Sequence, residues 1–309
     1  MKINKKIVFI SFKKAVLSPP GRGLTCQSYG FIRTKKTSRQ LVDIMKEFFT
    51  NPPRIIADNG AVPGLPPGSI EAVEKAFEMG ADCVFLTIRL TADRVPLVAI
   101  DPEVAGPHGE ELIVAESELA AIMKGDAAYY YPDREGTSFP LRSRGITYCS
   151  LKDMFFRFPE RKFVLDLADT SDVLTEEVLK LLSEYNSTNR IIISSVNAGT
   201  LKKIRKKMPA VATTLSSMSI IGAYFLYRAG LLSLKKNFAG DAMFIPESIG
   251  LSYMGNRVLL QEMKKRKKAV YVWNVKTEQE MSRLTDIHID GFITNSLQEL
   301  LKLLENRDQ

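Results

Sequence analysis

The sequence predicts an α/β fold in which strands and helices alternate, either a (β/α)8 barrel or a doubly wound parallel sheet. Three observations carry this prediction. Short β-rich runs recur from Arg54 onward, helix patterns sit between them, and most of the runs are continuously apolar. A run that is apolar on both faces suits a strand covered on both sides, as in a parallel sheet enclosed by helices. Repetition of such units over some 250 residues fits either architecture.

The strand candidates are residues 54–57, 83–90, 95–100, 163–167, 190–195, 210–215, 242–246, 269–275 and 290–294. That is one more than an eight-stranded barrel needs. Between the first two, Ile70, Val73, Ala76 and Phe77 share a helical face, and Gly80 is placed to stop that helix. Ser150, followed by Leu151-Lys152-Asp153, is a capped helix start ahead of Met154, Phe155 and Phe158. Helix patterns continue at 175–185, 197–208, 256–268, 277–284 and 296–306.

Two stretches break the rhythm. Residues 101–146 are rich in Pro, Gly and charge, with a short helix pattern near 116–123, and read as a small insertion or lid after the third strand. Residues 218–232 are apolar nearly all round. Such a helix is expected to be buried beneath another segment. The other reading is a helix lying on a lipid interface.

At 309 residues, with 45% apolar and 25% charged residues, the chain can bury a core without disulfide or metal staples. Cys26, Cys83 and Cys149 are too few and too scattered for a disulfide framework or a CxxC site. No apolar run approaches the roughly 18 residues of a membrane span. The short apolar stretch 7–12 is closed by two lysines and does not read as a cleavable signal. A cytoplasmic protein is expected.

The net charge of +8 is concentrated at one end. Residues 1–50 hold eleven Lys/Arg and two acids, so the remainder is nearly neutral. The chain therefore divides into a basic N-terminal extension, 1–50, and a folded part, 51–309. The extension is either solvated or a contact for an anionic membrane surface. The lysine clusters 202–207 and 264–268 end helices, where cations complement the helix dipole without any partner. No Gly-rich phosphate loop, nucleophile elbow or HExxH motif is present, and nothing signals nucleic acid or an oligomeric state.

Ile56-Ala57-Asp58-Asn59-Gly60, followed by Gly64-Leu65-Pro66-Pro67-Gly68-Ser69-Ile70, resembles the opening of the glycerophosphodiester phosphodiesterases. Their pattern there is Ile-Ala-His-Arg-Gly and then Pro-Glu-Asn-Thr. The same resemblance continues through Gly80-Ala81-Asp82, Leu90-Thr91-Ala92-Asp93, Val95-Pro96-Leu97-Val98, Ser150-Leu151-Lys152-Asp153, Val272-Trp273-Asn274-Val275 and Asp290-Gly291-Phe292-Ile293-Thr294-Asn295. It implies a TIM barrel, a divalent metal such as calcium or magnesium, and hydrolysis of a glycerophosphodiester to glycerol 3-phosphate and an alcohol. It also implies two histidines for acid/base work and a carboxylate cluster around the metal.

This sequence departs from that pattern at most of those positions. Asp58 and Asn59 stand where the family has His-Arg. Gly68 stands at the Glu, Phe85 and Thr87 at the Glu-x-Asp pair, Ile100 at the second histidine, and Asp166 and Ala168 at the Glu-x-Lys. Isoleucine cannot move a proton, and an ordinary aspartic acid is a poor acid at neutral pH. Calcium needs six to eight oxygens, several from carboxylates. The remaining histidines, His108 in the insertion and His288 before a strand, match neither family position.

The expected function is therefore a phosphodiesterase-like barrel without the family's catalytic groups, acting as a binding or regulatory module with no metal. Its mouth would be lined by Asp58, Asn59, Thr87, Asp101, Asp166 and Trp273, and would take a glycerophosphodiester-like small molecule. Trp273 either covers a choline-like cation or packs in the core. The alternative is an active hydrolase of glycerophosphodiesters or lysophospholipids, with calcium or magnesium held by Asp58, Asp101 and Asp166.

Overall fold

The computed structural model describes residues 46–133, 135–235, 237–246, 257–275 and 277–307. The chain divides into two units, Met1–Thr37 and Ser38–Gln309. The first, with most of the basic extension and Cys26, lies outside the described residues.

Eight parallel strands form the barrel. They are β1 (Ile55–Asp58), β2 (Cys83–Leu90), β7 (Lys162–Leu167), β8 (Ile191–Ser194), β9 (Ala212–Thr213), β10 (Ala242–Pro246), β11 (Ala269–Trp273) and β12 (Gly291–Thr294). Their order around the sheet, β10-β11-β12-β1-β2-β7-β8-β9, follows the chain, and a parallel bridge between Thr214 and Ala242 joins the two ends. This sequential, singly wound order is that of a TIM barrel and excludes the doubly wound sheet.

The surplus strand is the third in the chain. Pro96–Val98 (β3) runs antiparallel to β2, with Leu97 opposite Arg89, and also pairs with Cys149–Ser150 (β6). It stands outside the ring. The insertion that follows β3 therefore separates the second and third barrel strands. It carries a hairpin of β4 (Glu103–Ala105) and β5 (Glu111–Ile113), and the short helix α2 (Leu119–Ile122). Leu97, Ala99, Val104, Val114 and Ile122 give it a small core of its own.

The helices begin where the caps predict. Ser69 Oγ accepts from Ala72 N to start α1 (Ile70–Glu78). Ser150 and Asp153 form a reciprocal capping box at α3 (Leu151–Arg157), as do Thr277 and Glu280 at α8 (Glu278–Asp286). Ser171, Asn197 and Ser216 cap α4 (Asp172–Glu184), α5 (Ala198–Lys207) and α6 (Ser217–Arg228). Two further helices, α7 (Arg257–Lys265) and α9 (Leu297–Arg307), complete the outer ring. The lysine clusters are met by neighbouring acids. Lys203 pairs with Asp172 at 2.9 Å and Glu176 at 2.8 Å, and Arg266 pairs with Glu262 at 2.6 Å.

Inside the barrel, Ile56, Cys83, Val164, Ile192, Ala212, Ala242, Tyr271 and Ile293 form a buried layer, one from each strand. Phe48, only 1% exposed, joins them. Lys162, the first residue of β7, places its ammonium 5.1 Å from the Phe48 ring centroid and donates to the Phe48 carbonyl at 3.1 Å. Lys46 pairs with Asp241, just before β10. Residues 46–50, inside the stretch read as an extension, thus plug the N-terminal end of the barrel.

Helix α6 corrects the expectation for residues 218–232. Its one fully buried residue is Ala223, while Met218 is 70% exposed and Phe225 65%. Ile220, Leu226 and Tyr227 pack on the core, and the opposite face stays open to solvent. Burial depends on a covering segment, and none of the described residues supplies one. Among the described residues, no helix is long and apolar enough to cross a membrane.

Candidate functional site

Side chains alternate across a strand, so residues two positions past the buried layer point inward again, nearer the C-terminal end. That rule brings Asp58 above Ile56, Phe85 and Thr87 above Cys83, Asp166 above Val164, Ser194 above Ile192 and Trp273 above Tyr271. The strand register agrees, with Asp58 opposite Phe85, Thr87 opposite Asp166 and Asp166 opposite Ser194. Together they line a cavity of about 590 Å³ at the face where barrels hold their sites. Phe85 and Phe244 have ring centroids 6.5 Å apart, and Phe244 packs edge-on against Tyr271 at 5.4 Å, giving the cavity an aromatic floor. Ile220 and Ile221 of α6 form part of its wall.

Asn59 holds the first strand's end in place. Its φ is +48°, a left-handed conformation that asparagine tolerates better than most residues. Its Nδ2 donates to Asp58 Oδ1 at 2.9 Å, and its Oδ1 accepts from Thr87 N at 2.9 Å. Gly60 follows at φ +66°, where a Cβ would meet the Val73 backbone at 3.0 Å. Only glycine lets the chain turn so close to α1.

Both mouth carboxylates are held above the usual aspartate range. Burial raises Asp58, opposed by the Asn59 hydrogen bond and reinforced by the charge of Asp166. Burial likewise raises Asp166, opposed by a hydrogen bond with Ser194 and by the nearby charge of Arg89. Arg89 went unnoticed in the sequence, although it continues the inward series Cys83, Phe85, Thr87. Its Nη1 pairs with Asp169 at 3.4 Å, and its Nη2 donates to the Ile100 carbonyl at 3.0 Å. Its Nε is buried without a hydrogen-bond partner among the described residues.

Of the residues expected at the mouth, Asp58, Asn59, Thr87, Asp166 and Trp273 share the cavity. Trp273 is 44% exposed at the rim, so it is not a core residue. Asp101 is elsewhere. It lines a second cavity of about 600 Å³ between the insertion and the loop Pro66–Ser69, together with Gly68. Ile100, 41% exposed, is the one described residue common to both linings. The chain path past β3 turns Asp101 away from Asp58 and Asp166, so these three carboxylates do not gather. His108 is exposed in the β4–β5 hairpin and lines neither cavity. His288 is exposed just before β12, at the opposite end of the barrel.

A divalent metal fits this donor set poorly. Among the described residues, the mouth offers two carboxylates, neutral hydroxyls from Thr87, Ser194, Ser195, Thr214 and Ser217, and an Asn59 amide already bonded at both ends. Calcium takes six to eight oxygens. Among the described residues, no group of three or more His, Cys, Asp or Glu is placed to hold a metal ion. The cavity can enclose an apolar group, and its titratable side chains among the described residues are the two carboxylates.

The fold and sequence have known counterparts. The chain is 26% identical over 264 residues to a glycerophosphodiester phosphodiesterase of Caldanaerobacter subterraneus subsp. tengcongensis, covering 81% of this chain and 97% of that protein. It is 20% identical over 278 residues to the human lysophospholipase D GDPD3, covering 82% and 85% respectively. The crystal structure of a glycerophosphoryl diester phosphodiesterase domain from Mycobacterium tuberculosis superimposes with a TM-score of 0.68 at 16% identity, covering 82% of this chain and 99% of that one. That likeness speaks to the fold. Residues 60–299 match the glycerophosphoryl diester phosphodiesterase family over most of the barrel. With the sequential eight-stranded ring and the site at its C-terminal face, this match shows that the chain belongs to the glycerophosphoryl diester phosphodiesterase family.

Proposed function

We propose that this chain is a non-hydrolytic member of its family, a module whose barrel mouth binds a small amphiphilic ligand of the glycerophosphodiester or lysophospholipid class. The observation that carries the reading is the composition of the mouth. Apolar and aromatic walls surround two carboxylates that burial drives toward their neutral forms, and no described histidine, lysine or arginine lines the cavity. Phosphodiester hydrolysis needs groups that stabilise developing anionic charge and move protons near neutral pH. Phe85 and Ile100 supply neither at positions where the resemblance expects a metal ligand and a histidine. The ligand class follows from relatives named glycerophosphodiester phosphodiesterase and lysophospholipase D.

One observation favours an active, rebuilt site. Asp58 is raised toward neutrality, and a carboxyl so placed can act as a general acid. Release of glycerol 3-phosphate or lysophosphatidic acid from glycerophosphocholine and lysophosphatidylcholine, with and without millimolar calcium or magnesium, decides between the two. The binding reading expects no product above the no-enzyme rate, together with a raised unfolding temperature when lysophosphatidylcholine is added. Ligand at a hundred times its dissociation constant stabilises by about 2.7 kcal/mol. Turnover abolished by Asp58→Asn would instead establish the hydrolase.

The location proposed is cytoplasmic, with the part of the basic extension before the barrel plug, residues 1–45, touching anionic membrane surfaces. Liposome sedimentation that ignores both anionic lipid content and deletion of residues 1–45 would sink the membrane contact.

A further inference from the structure

Resting on the amphiphile reading, we infer that the exposed apolar face of α6 and the rim of the mouth form one lipid-docking surface, through which the cavity takes its amphiphile directly from an anionic bilayer. Large apolar side chains that gather in one exposed patch mark a contact surface. Here four of them belong to the cavity itself. Ile100, Val196, Ile221 and Trp273 line the mouth, and each is between 39% and 67% exposed. The apolar wall of the cavity therefore continues onto the outer surface.

From Ile221 the surface runs on along α6. Met218, Ile221, Phe225 and Arg228 follow one another at spacings of three, four and three, which places them on one side of the helix. All four are exposed, while Ala223, Leu226 and Tyr227 on the other side pack in the core. An apolar stripe closed by a cation suits a helix lying in a lipid interface. Its hydrocarbon side chains sit below the headgroups, and its guanidinium reaches the level of the phosphates. Trp273, at the rim, is of the residue type that gathers at this same depth.

Two observations select a bilayer as the occupant. The first is charge. Residues 185–240, which include α5 and α6, hold nine Lys/Arg and no Asp or Glu. Part of that charge is met from α4, as at Lys203, but Arg228 and Lys235 are exposed. Basic residues beside an apolar face are drawn to anionic headgroups. The second is continuity with the cavity. A protein seated on this rim would close the mouth, whereas a bilayer leaves it open to the phase in which a single-chain lipid resides. An acyl chain then passes from hydrocarbon to the aromatic floor without crossing water, which would cost free energy for every methylene exposed.

The chain's single tryptophan, Trp273, reports on the mouth and not on the basic extension. Its emission is read in the full chain with vesicles of phosphatidylglycerol and a phosphatidylcholine brominated near the headgroup end of its acyl chains, where bromine quenches indole only at close range. The expected result is saturable quenching. The double variant Met218→Ser, Phe225→Ser should partition into the vesicles about tenfold more weakly or worse. Both positions lie outside the cavity lining, so it should bind lysophosphatidylcholine, below its micelle concentration, within about twofold of the parent. Arg228→Gln should weaken partitioning about fivefold, and only when phosphatidylglycerol is present. Sedimentation with the vesicles but without quenching means that the extension alone holds the membrane, and overturns the docking surface. Quenching undiminished in the double variant overturns it too, as does self-association of the parent chain in place of vesicle binding, which assigns the face to a second copy. An unchanged Arg228→Gln variant overturns the placing of the guanidinium among the headgroups. In each of these cases binding of lysophosphatidylcholine leaves the amphiphile reading standing, and its absence overturns that reading by itself.

Discussion

Asn59 and Thr87 tie the first two barrel strands together at the mouth, through a 2.9 Å hydrogen bond from the Thr87 amide to the Asn59 side-chain oxygen. The same asparagine donates to Asp58. One side chain therefore sets both the spacing of β1 and β2 and the charge environment of a mouth carboxylate. Asn59→Ala removes both bonds and leaves a part-buried amide unpaired. It should cost about 2 kcal/mol in urea unfolding. A loss below about 0.5 kcal/mol would mean that water replaces the amide without penalty.

The mouth carboxylates should leave a signature in pH dependence. Burial raises Asp58 and Asp166, so between their unfolded and folded pKa values the native state binds more protons than the unfolded chain. Stability then falls as pH rises through that window, and the penalty is fully present above the folded values. Asp166→Asn should unfold at a higher temperature than the parent at pH 7, with the gap closing toward pH 3. An equal or lower unfolding temperature at pH 7 would show that Ser194 and Arg89 outweigh desolvation.

Added metal should do little. Millimolar calcium or magnesium is expected to leave the unfolding temperature unchanged within about one degree, since two carboxylates and neutral oxygens make a weak site. A glutamate introduced at position 68 would not supply a further ligand. Gly68 has φ +88° and lines the second cavity, so Gly68→Glu is strained and aimed away from Asp166. A calcium-dependent rise in the parent chain would contradict the reading of the donor set.

Helix α6 offers a contrast within one element. Phe225→Ser, on the exposed face, should change stability by no more than about 0.5 kcal/mol. Ala223→Leu, on the buried face, should cost about 1–3 kcal/mol by overpacking. Equal effects at the two positions in chemical denaturation would mean that another segment covers the helix in solution.

At the other end of the barrel, Phe48→Ala should cost about 3–5 kcal/mol, the usual penalty for emptying a buried aromatic site. A small effect would show that residues 46–50 belong to the extension after all.

Some of this was legible in the residues themselves. The run Ala242–Pro246 is found as a strand at its expected bounds, and Ser150 and Asp153 cap their helix, because propensity and capping act within a few residues. Other features were not. Residues 95–100 looked like a barrel strand because they are apolar on both faces. In the structure, Leu97 is buried by the insertion and Val98 by the main core, which leaves the same pattern on an antiparallel flap. The strand pleat made the convergence of Asp58 and Asp166 foreseeable, whereas the displacement of Asp101 depends on the path of a loop.

The sequence by itself determined the alternation of strands and helices, the family, and the chemical types standing at the mouth. All three depend on local periodicity, or on the order of motifs along the chain. The tertiary structure alone decided which strand stands outside the ring, that the residues expected at the mouth are split between two cavities that share Ile100, and that α6 keeps an apolar face open. These depend on which distant segments meet or fail to meet, and burial between distant segments leaves no periodic mark in the residues that become buried.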